Sequence, residues 1–169
     1  MFIEIKPLPT YTKNWYITTS YIPEHLQPAS VYIVKKAISF SKYMYNQTVF
    51  LNINCINLKY MKFLNKKYKN KDKATNVLSF PADTIPANVS CTRILGDVFI
   101  CTNFLRREVD KANFNSHFLH MVLHGTLHLL GYDHETQQDA VIMQNIEKKV
   151  LFSFNLSDPY ETKKNHINL

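Results

Sequence analysis

The sequence predicts an α+β (mixed α/β) fold built around a small sheet. Period-two apolar alternation marks short strands in the first two thirds of the chain, and helical spacing takes over from residue 104. At 169 residues and 46% apolar composition the chain has enough side-chain mass for one sizeable core. No internal repeat or linker interrupts it, so residues 1–169 read as a single domain.

Taken in order, residues 2–6 and 14–20 read as short extended segments. Pro23 and Pro28 punctuate the chain before an amphipathic helix through Val31, Val34 and Ile38, expected to end near Tyr45. Val49, Leu51, Ile53 and Cys55 alternate with Phe50, Asn52 and Asn54, the pattern of a strand with one better-buried face. Leu58, Met61, Leu64 and Tyr68 return to helical spacing. Segments 76–80 and 95–100 read as further strands, separated by a Pro-containing loop from Pro81 to about Arg93, long enough for a flap or a plain surface excursion. Helices are expected at 104–112, 116–130 and 137–154, the last opened by the capping pair Thr136 and Asp139. The polar tail from Ser157 to Leu169 is expected to fray or to pack loosely.

The charge balance is basic, 20 Lys+Arg against 13 Asp+Glu, for a formal charge of +7. Such an excess suits a polyanionic partner such as nucleic acid, and equally a basic protein without one. Cys55, Cys91 and Cys101 form neither a CxxC pair nor an even set, so neither a disulfide framework nor a disulfide-linked partner is expected, and a reducing cytoplasm suits them. The first residues lack a basic leader followed by an apolar stretch, and no apolar run approaches membrane-spanning length. The expectation is a protein neither exported nor membrane-embedded.

The most informative segment is His124-Gly-Thr-Leu-His128-Leu-Leu-Gly131-Tyr-Asp-His134. Residues four apart share a helix face with Cβ atoms roughly 5–6 Å apart, so His124 and His128 are placed to share one metal ion. Gly131 stands where a helix ends in a left-handed residue, which turns the chain back and presents His134 from a second direction. The HxxxHxxGxxH spacing is also that of metzincin proteases, but Gly125 occupies the place of their general-base Glu. The three cysteines lie far from this segment, so a closed structural site is disfavoured and an open fourth position for water is favoured. His120 and His124 form a competing pair at the same spacing, and His117 lies one turn earlier. The spacing to Gly131 and His134 selects His124 and His128, leaving His120 as a core residue or a support behind the ligands. Asp133 is a candidate for orienting a ligand imidazole, and equally an incidental loop acid. Met143 falls in a predicted helix with Val141, Ile142 and Ile146 and reads as core rather than as a Met-turn.

The run HGTLHLLGYDH resembles the HGxLHLxGYDH signature of the YbeY family, bacterial endoribonucleases needed for ribosomal RNA maturation. Leu64-Asn65-Lys66-Lys67-Tyr68, followed by Thr75-Asn76-Val77-Leu78-Ser79-Phe80-Pro81, is similar to the family's LNxxYR and T(D/N)VLSFP stretch, and Leu95-Gly96-Asp97-Val98 to its LGDI strand. The resemblance runs in order from about residue 50 to 160. It implies a mixed sheet flanked by helices, with the metal site on a C-terminal helix and the turn after it. It also implies one zinc ion held by His124, His128 and His134, and cleavage of single-stranded RNA, with ribosomal RNA precursors or a ribosomal particle as partner. In the family an Arg follows the Tyr of LNxxYR and is implicated in activity. The matching residue here is Lys69, which keeps a phosphate-attracting charge but lacks the bidentate guanidinium fork.

A divalent ion with an open position activates water and polarises a phosphoryl oxygen, which are the demands of phosphodiester hydrolysis; attack by the RNA's own 2′-hydroxyl is the other route. With Gly125 in place of a base, proton transfer falls to the metal-activated water, Asp133, Glu135 or the substrate. Lys59, Lys62, Lys66, Lys67, Lys69, Lys71 and Lys73 concentrate charge among Tyr60, Phe63 and Tyr68. Of these, Lys66, Lys67, Lys71 and Lys73 are the candidates for substrate binding beside Lys69, the same run being readable as a solvated helix face. Ser79 and Asp97 read as structural residues near the cleft. Two other functions fit parts of the pattern: a ribosome-assembly factor with a structural metal, and a metalloprotease, which Gly125 disfavours.

Overall fold

The computed structural model of the chain describes residues 15–40, 48–82 and 92–161. The expected extended segment 2–6, the reach of the first helix to Tyr45 and most of the loop after Pro81 lie outside those residues. Four strands, β1 (Trp15–Ser20), β2 (Thr48–Cys55), β3 (Val77–Pro81) and β4 (Thr92–Ile100), form one sheet in the order β1-β2-β4-β3. β1, β2 and β4 run parallel and β3 runs antiparallel to β4, so the sheet is mixed. Among the described residues five helices accompany it: α1 (Gln27–Phe40), α2 (Leu58–Lys69), α3 (Thr102–Glu108), α4 (Phe114–Leu129) and α5 (Gln137–Phe152), with a short 3-10 turn at Glu24–Leu26. Parallel neighbours cannot be joined by a tight hairpin, and α1 accordingly crosses between β1 and β2.

Successive residues of a strand face opposite sides of the sheet, and β4 shows what each side meets. Val98 and Ile100 enter the larger core with Ile33 of α1 and with Phe118, Val122 and Leu123 of α4. Phe99, between them, packs against a smaller cluster that includes Met61 and Leu64 of α2 and Leu78 of β3. Helices α1, α4 and α5 therefore lie on one face and α2 on the other. Ile33, Phe118 and Leu123 lose all solvent exposure, and burying a side chain of this kind contributes about 1.5–3 kcal/mol each. The alternation expected in β2 is present: Val49, Leu51, Ile53 and Cys55 are buried while Phe50 and Asn52 are exposed.

Some boundaries differ from expectation. α3 spans 102–108 rather than 104–112 because the next residues close a turn, the Asn113 N–H donating to the Asp110 carbonyl at 3.0 Å. Asp and Asn favour such turns over helix, and α4 starts directly after it at Phe114. β4 begins at Thr92, so Arg93 belongs to the strand rather than to the preceding loop. α5 opens as expected, with the Thr136 hydroxyl accepting the Asp139 N–H, and it ends at Phe152, shortly before Asn155 turns left-handed. Of the tail expected to fray or pack loosely, residues 157–161 are described and 162–169 lie outside the described residues. The described part is held in place: Asp158 pairs with Lys148 at 3.0 Å, and the Tyr160 hydroxyl reaches α5.

Candidate metal centre

α4 is buried along most of its length, and a half-buried stripe runs along it through His117, His120, His124 and His128. The helix terminates in a Schellman motif: the Gly131 N–H donates to the His128 carbonyl and the Tyr132 N–H to the Leu127 carbonyl, each at 3.0 Å. Gly131 has φ +88, a conformation that residues with a Cβ avoid. That reversal brings His134 back over the helix end. The His134 ring centroid lies 5.4 Å from that of His124 and 5.1 Å from that of His128.

The Nε2 atoms of His124 and His128 stand 3.1 Å apart, and one ring nitrogen from each of the three histidines falls within 4.8 Å of the others. Nitrogens around a tetrahedral zinc with bonds of about 2.0–2.1 Å would be separated by about 3.3 Å, so the His124–His128 pair already stands at a metal's ligand spacing. Among the described residues no fourth His, Cys, Asp or Glu joins these three. Burial, with the neighbouring His124 and His134, holds the His128 imidazole below its ordinary pKa against the opposing pull of Asp133. The neutral form is the one that binds metal.

Behind the ligands stands a residue the sequence reading missed. Glu147 of α5 is wholly buried, and its Oε1 accepts from His124 Nδ1 at 2.9 Å. With its proton on Nδ1, His124 presents the Nε2 lone pair toward His128. Burial alone would push the Glu147 carboxyl up, but the neighbouring His120 and the hydrogen bonds from His124 and Tyr160 outweigh it and leave the group ionised down to about 2. His120 lies on this side of the site, its Nε2 3.6 Å from the other carboxylate oxygen, Oε2, and it is grouped with Glu147 rather than with His128 and His134. The Tyr160 hydroxyl donates to the same Oε2. Burial and the adjacent carboxylate hold that hydroxyl far above the ordinary tyrosine range, so it remains a donor. Met143 is core, 1% exposed.

Gly125 has a packing reason. A Cβ built there would lie 2.6 Å from Val98 Cγ1 and 3.0 Å from Ser79 Oγ, because α4 crosses β3 and β4 at this residue. Any side chain there must displace both neighbours, which disfavours a glutamate base of the metzincin kind at this position. Ser79 seals the approach by donating its hydroxyl to the Gly125 carbonyl at 2.9 Å. Asp97 accepts from Asn52 Nδ2 at 2.9 Å, across the sheet from β2.

The three histidines open into a cleft of about 720 Å³, and Lys69, Lys71 and Lys73 line the same cleft. Asn65 sets that arrangement. It is buried in α2, its Nδ2 donates to the Lys73 carbonyl at 2.7 Å, and its own carbonyl accepts the Lys71 N–H at 3.2 Å. Asn70 caps α2 in the left-handed conformation, φ 57, and turns the lysine segment toward the histidines. Lys66 and Lys67 are not among the cleft-lining residues. Lys66 pairs with Asp72 at 3.3 Å, and Lys67 sits over the Phe63 and Tyr68 rings, 5.8 and 5.0 Å from their centroids. Asp133 and Glu135 reach the cleft. Asp133 Oδ1 accepts the His134 N–H at 2.8 Å but stays 3.7 Å from His128 Nδ1, so it braces the ligand loop more directly than the imidazole.

The chain is similar to known proteins. A family model described as Endoribonuclease YbeY matches residues 18–155. A protein of that name from Idiomarina loihiensis is 43% identical over 122 residues, 71% of this chain and 74% of the relative. One from Legionella pneumophila is 37% identical over 145 residues, 84% of this chain and 91% of the relative. A solution structure from Thermotoga maritima superposes with a TM-score of 0.53 at 21% identity, over 88% of this chain and 99% of that one, and so shares the fold. With the family model spanning most of the chain and these relatives beside it, the protein belongs to the YbeY endoribonuclease family.

Proposed function

We propose that this protein is a zinc-dependent endoribonuclease that cuts single-stranded RNA, with His124, His128 and His134 holding one zinc ion. The observation that carries the reading is the meeting of the three-histidine donor set with Lys69, Lys71 and Lys73 in one open cleft. The names of the relatives supply the substrate class, RNA. Within that class we assign ribosomal RNA precursors: 16S 3′-end processing, ribosome maturation and RNA quality control in the cytoplasm. No described helix is long and apolar enough to cross a membrane.

A bound divalent ion supplies Lewis-acid polarisation of a phosphoryl oxygen and a lowered pKa for water. The chain's residues do the rest. Lys69, Lys71 and Lys73 attract the phosphate backbone and bring a scissile phosphate to the histidine end of the cleft. Lys69, at the C-terminus of α2, contributes a point charge without the planar fork of an arginine, so it attracts more than it orients. Asp133 and Glu135 are the cleft carboxylates able to accept a proton. The chain has no α4 glutamate beside His124, and the sheet crowds that position at Gly125. This speaks against peptide hydrolysis.

The test uses nuclease-free protein on a single-stranded RNA and its duplex, alongside His134→Ala. His134 is exposed on a loop, so its loss removes a ligand without opening a core. Cleavage confined to the single strand and lost in the variant is the expected result. Equal cleavage by both proteins would overturn the assignment.

A further inference from the structure

The tail after α5 is tied to the metal centre by two side chains. The Asp158 carboxylate pairs with Lys148 at 3.0 Å and also accepts the Tyr160 N–H at 2.8 Å, which fixes the backbone where Tyr160 leaves it. The Tyr160 ring then packs edge-on against His120 at a centroid distance of 5.8 Å, and Lys148 sits 5.7 Å from the same ring. Its hydroxyl ends on Glu147, whose other oxygen holds His124 Nδ1. Glu147 has no exposed surface, so without the Tyr160 hydroxyl its Oε2 loses a direct donor and is left with His120 Nε2 at 3.6 Å, beyond hydrogen-bond distance.

We propose that Tyr160 is a positioning residue for the metal centre: from the C-terminal strap it locks the Glu147 carboxylate, and through it the ring orientation and tautomer of His124. The inference rests on the three-histidine metal assignment but not on the reaction performed there. Carboxylates behind metal-ligating histidines typically matter by 10–100-fold in metal affinity. Glu147→Gln is therefore expected to weaken zinc binding by about that range, and Tyr160→Phe, one hydrogen bond further out, by roughly 3- to 10-fold.

The experiment measures zinc affinity of the full chain by competition with a chromophoric chelator for wild type, Tyr160→Phe, Glu147→Gln and the double variant. The His124 ring nitrogen shifts of the metal-free protein are recorded in parallel. Tyr160→Phe keeps the ring against His120, so the fold survives and Tyr160→Phe alone decides the matter if Glu147→Gln does not fold. The expected result is weaker zinc binding in Tyr160→Phe, a loss that vanishes in the Glu147→Gln background, and a His124 signal that moves from one tautomer toward a mixture. Zinc affinity within twofold of wild type in Tyr160→Phe, or an equal loss with and without Glu147, would overturn the proposal. A protein that binds zinc in this Tyr160-dependent way but leaves RNA intact would retain this inference while losing the proposed reaction.

Discussion

His124 and His134 differ in what their removal does, although both are assigned to one ion. His124 shares its Nδ1 proton with a buried carboxylate, whereas His134 is exposed. Stripping a partner from a buried charge costs about 3–5 kcal/mol where nothing replaces it, and less here because Tyr160 and His120 remain. We therefore expect His124→Ala to lower the urea midpoint of the metal-free protein clearly and His134→Ala to leave it unchanged, with both losing zinc. Equal midpoints would show that Glu147 does not depend on His124. A second expectation concerns thiols. Burial, reinforced by Cys101, pushes the Cys55 thiol up to about 12, and burial also raises Cys101. The reactive thiolate is thus suppressed at neutral pH, and alkylation mapped by mass spectrometry is expected to spare both in the native protein and to label both in urea. The convergence of His124, His128 and His134 was legible because its geometry is local: spacing of four, then a glycine reversal. Glu147 was missed because it lies 23 residues from His124; its one local signal is its place on the apolar face of α5, four residues after Met143 and four before Leu151.

At the level of elements, two glycines of α4 and its end decide whether the ligands meet. Gly125→Ala would drive a methyl group into Val98 and Ser79, and overpacking of this kind costs about 1–3 kcal/mol. Gly131→Ala meets no atoms within 4 Å but must hold φ near +88, at about 1–2 kcal/mol. Denaturant unfolding is expected to show both losses. Zinc competition should show Gly131→Ala weakened as well, because the strain is relieved by letting His134 drift; unaltered zinc affinity would mean that the loop finds its place without the Schellman turn. Period and capping made most elements readable, including the alternation of β2 and the Thr136 cap of α5. The errors fell where short-range hydrogen bonds compete with helix, as at Asp110–Asn113, or where a long-range partner captures a polar segment, as Lys148 and Glu147 do for the tail. Strand order lay beyond the sequence for the same reason: placing β4 between β2 and β3 depends on contacts between segments far apart in the chain.

For the molecule as a whole, the basic charge acquires meaning from its placement. A run of lysines on α2 was visible in the sequence, but Asn65 and the left-handed Asn70 determine which of them face the histidines. Lys71→Ala and Lys73→Ala are each expected to flatten the salt dependence of single-stranded RNA binding by about 0.7 in the log–log slope, the share of one phosphate contact. Lys66→Ala, whose ammonium is engaged by Asp72, should change it less. Fluorescence anisotropy across a salt series measures the difference, and identical slopes for Lys66→Ala and Lys71→Ala would remove the cleft from the binding surface. The central claim, that one metal held by three histidines drives RNA cleavage in this cleft, is tested most directly by titrating zinc into metal-free protein while following cleavage of a single-stranded RNA. Activity that rises linearly and saturates at one equivalent of zinc, and that is absent at every zinc level in His134→Ala, is the predicted result. Cleavage by the metal-free chain, or undiminished cleavage by the variant, would contradict it.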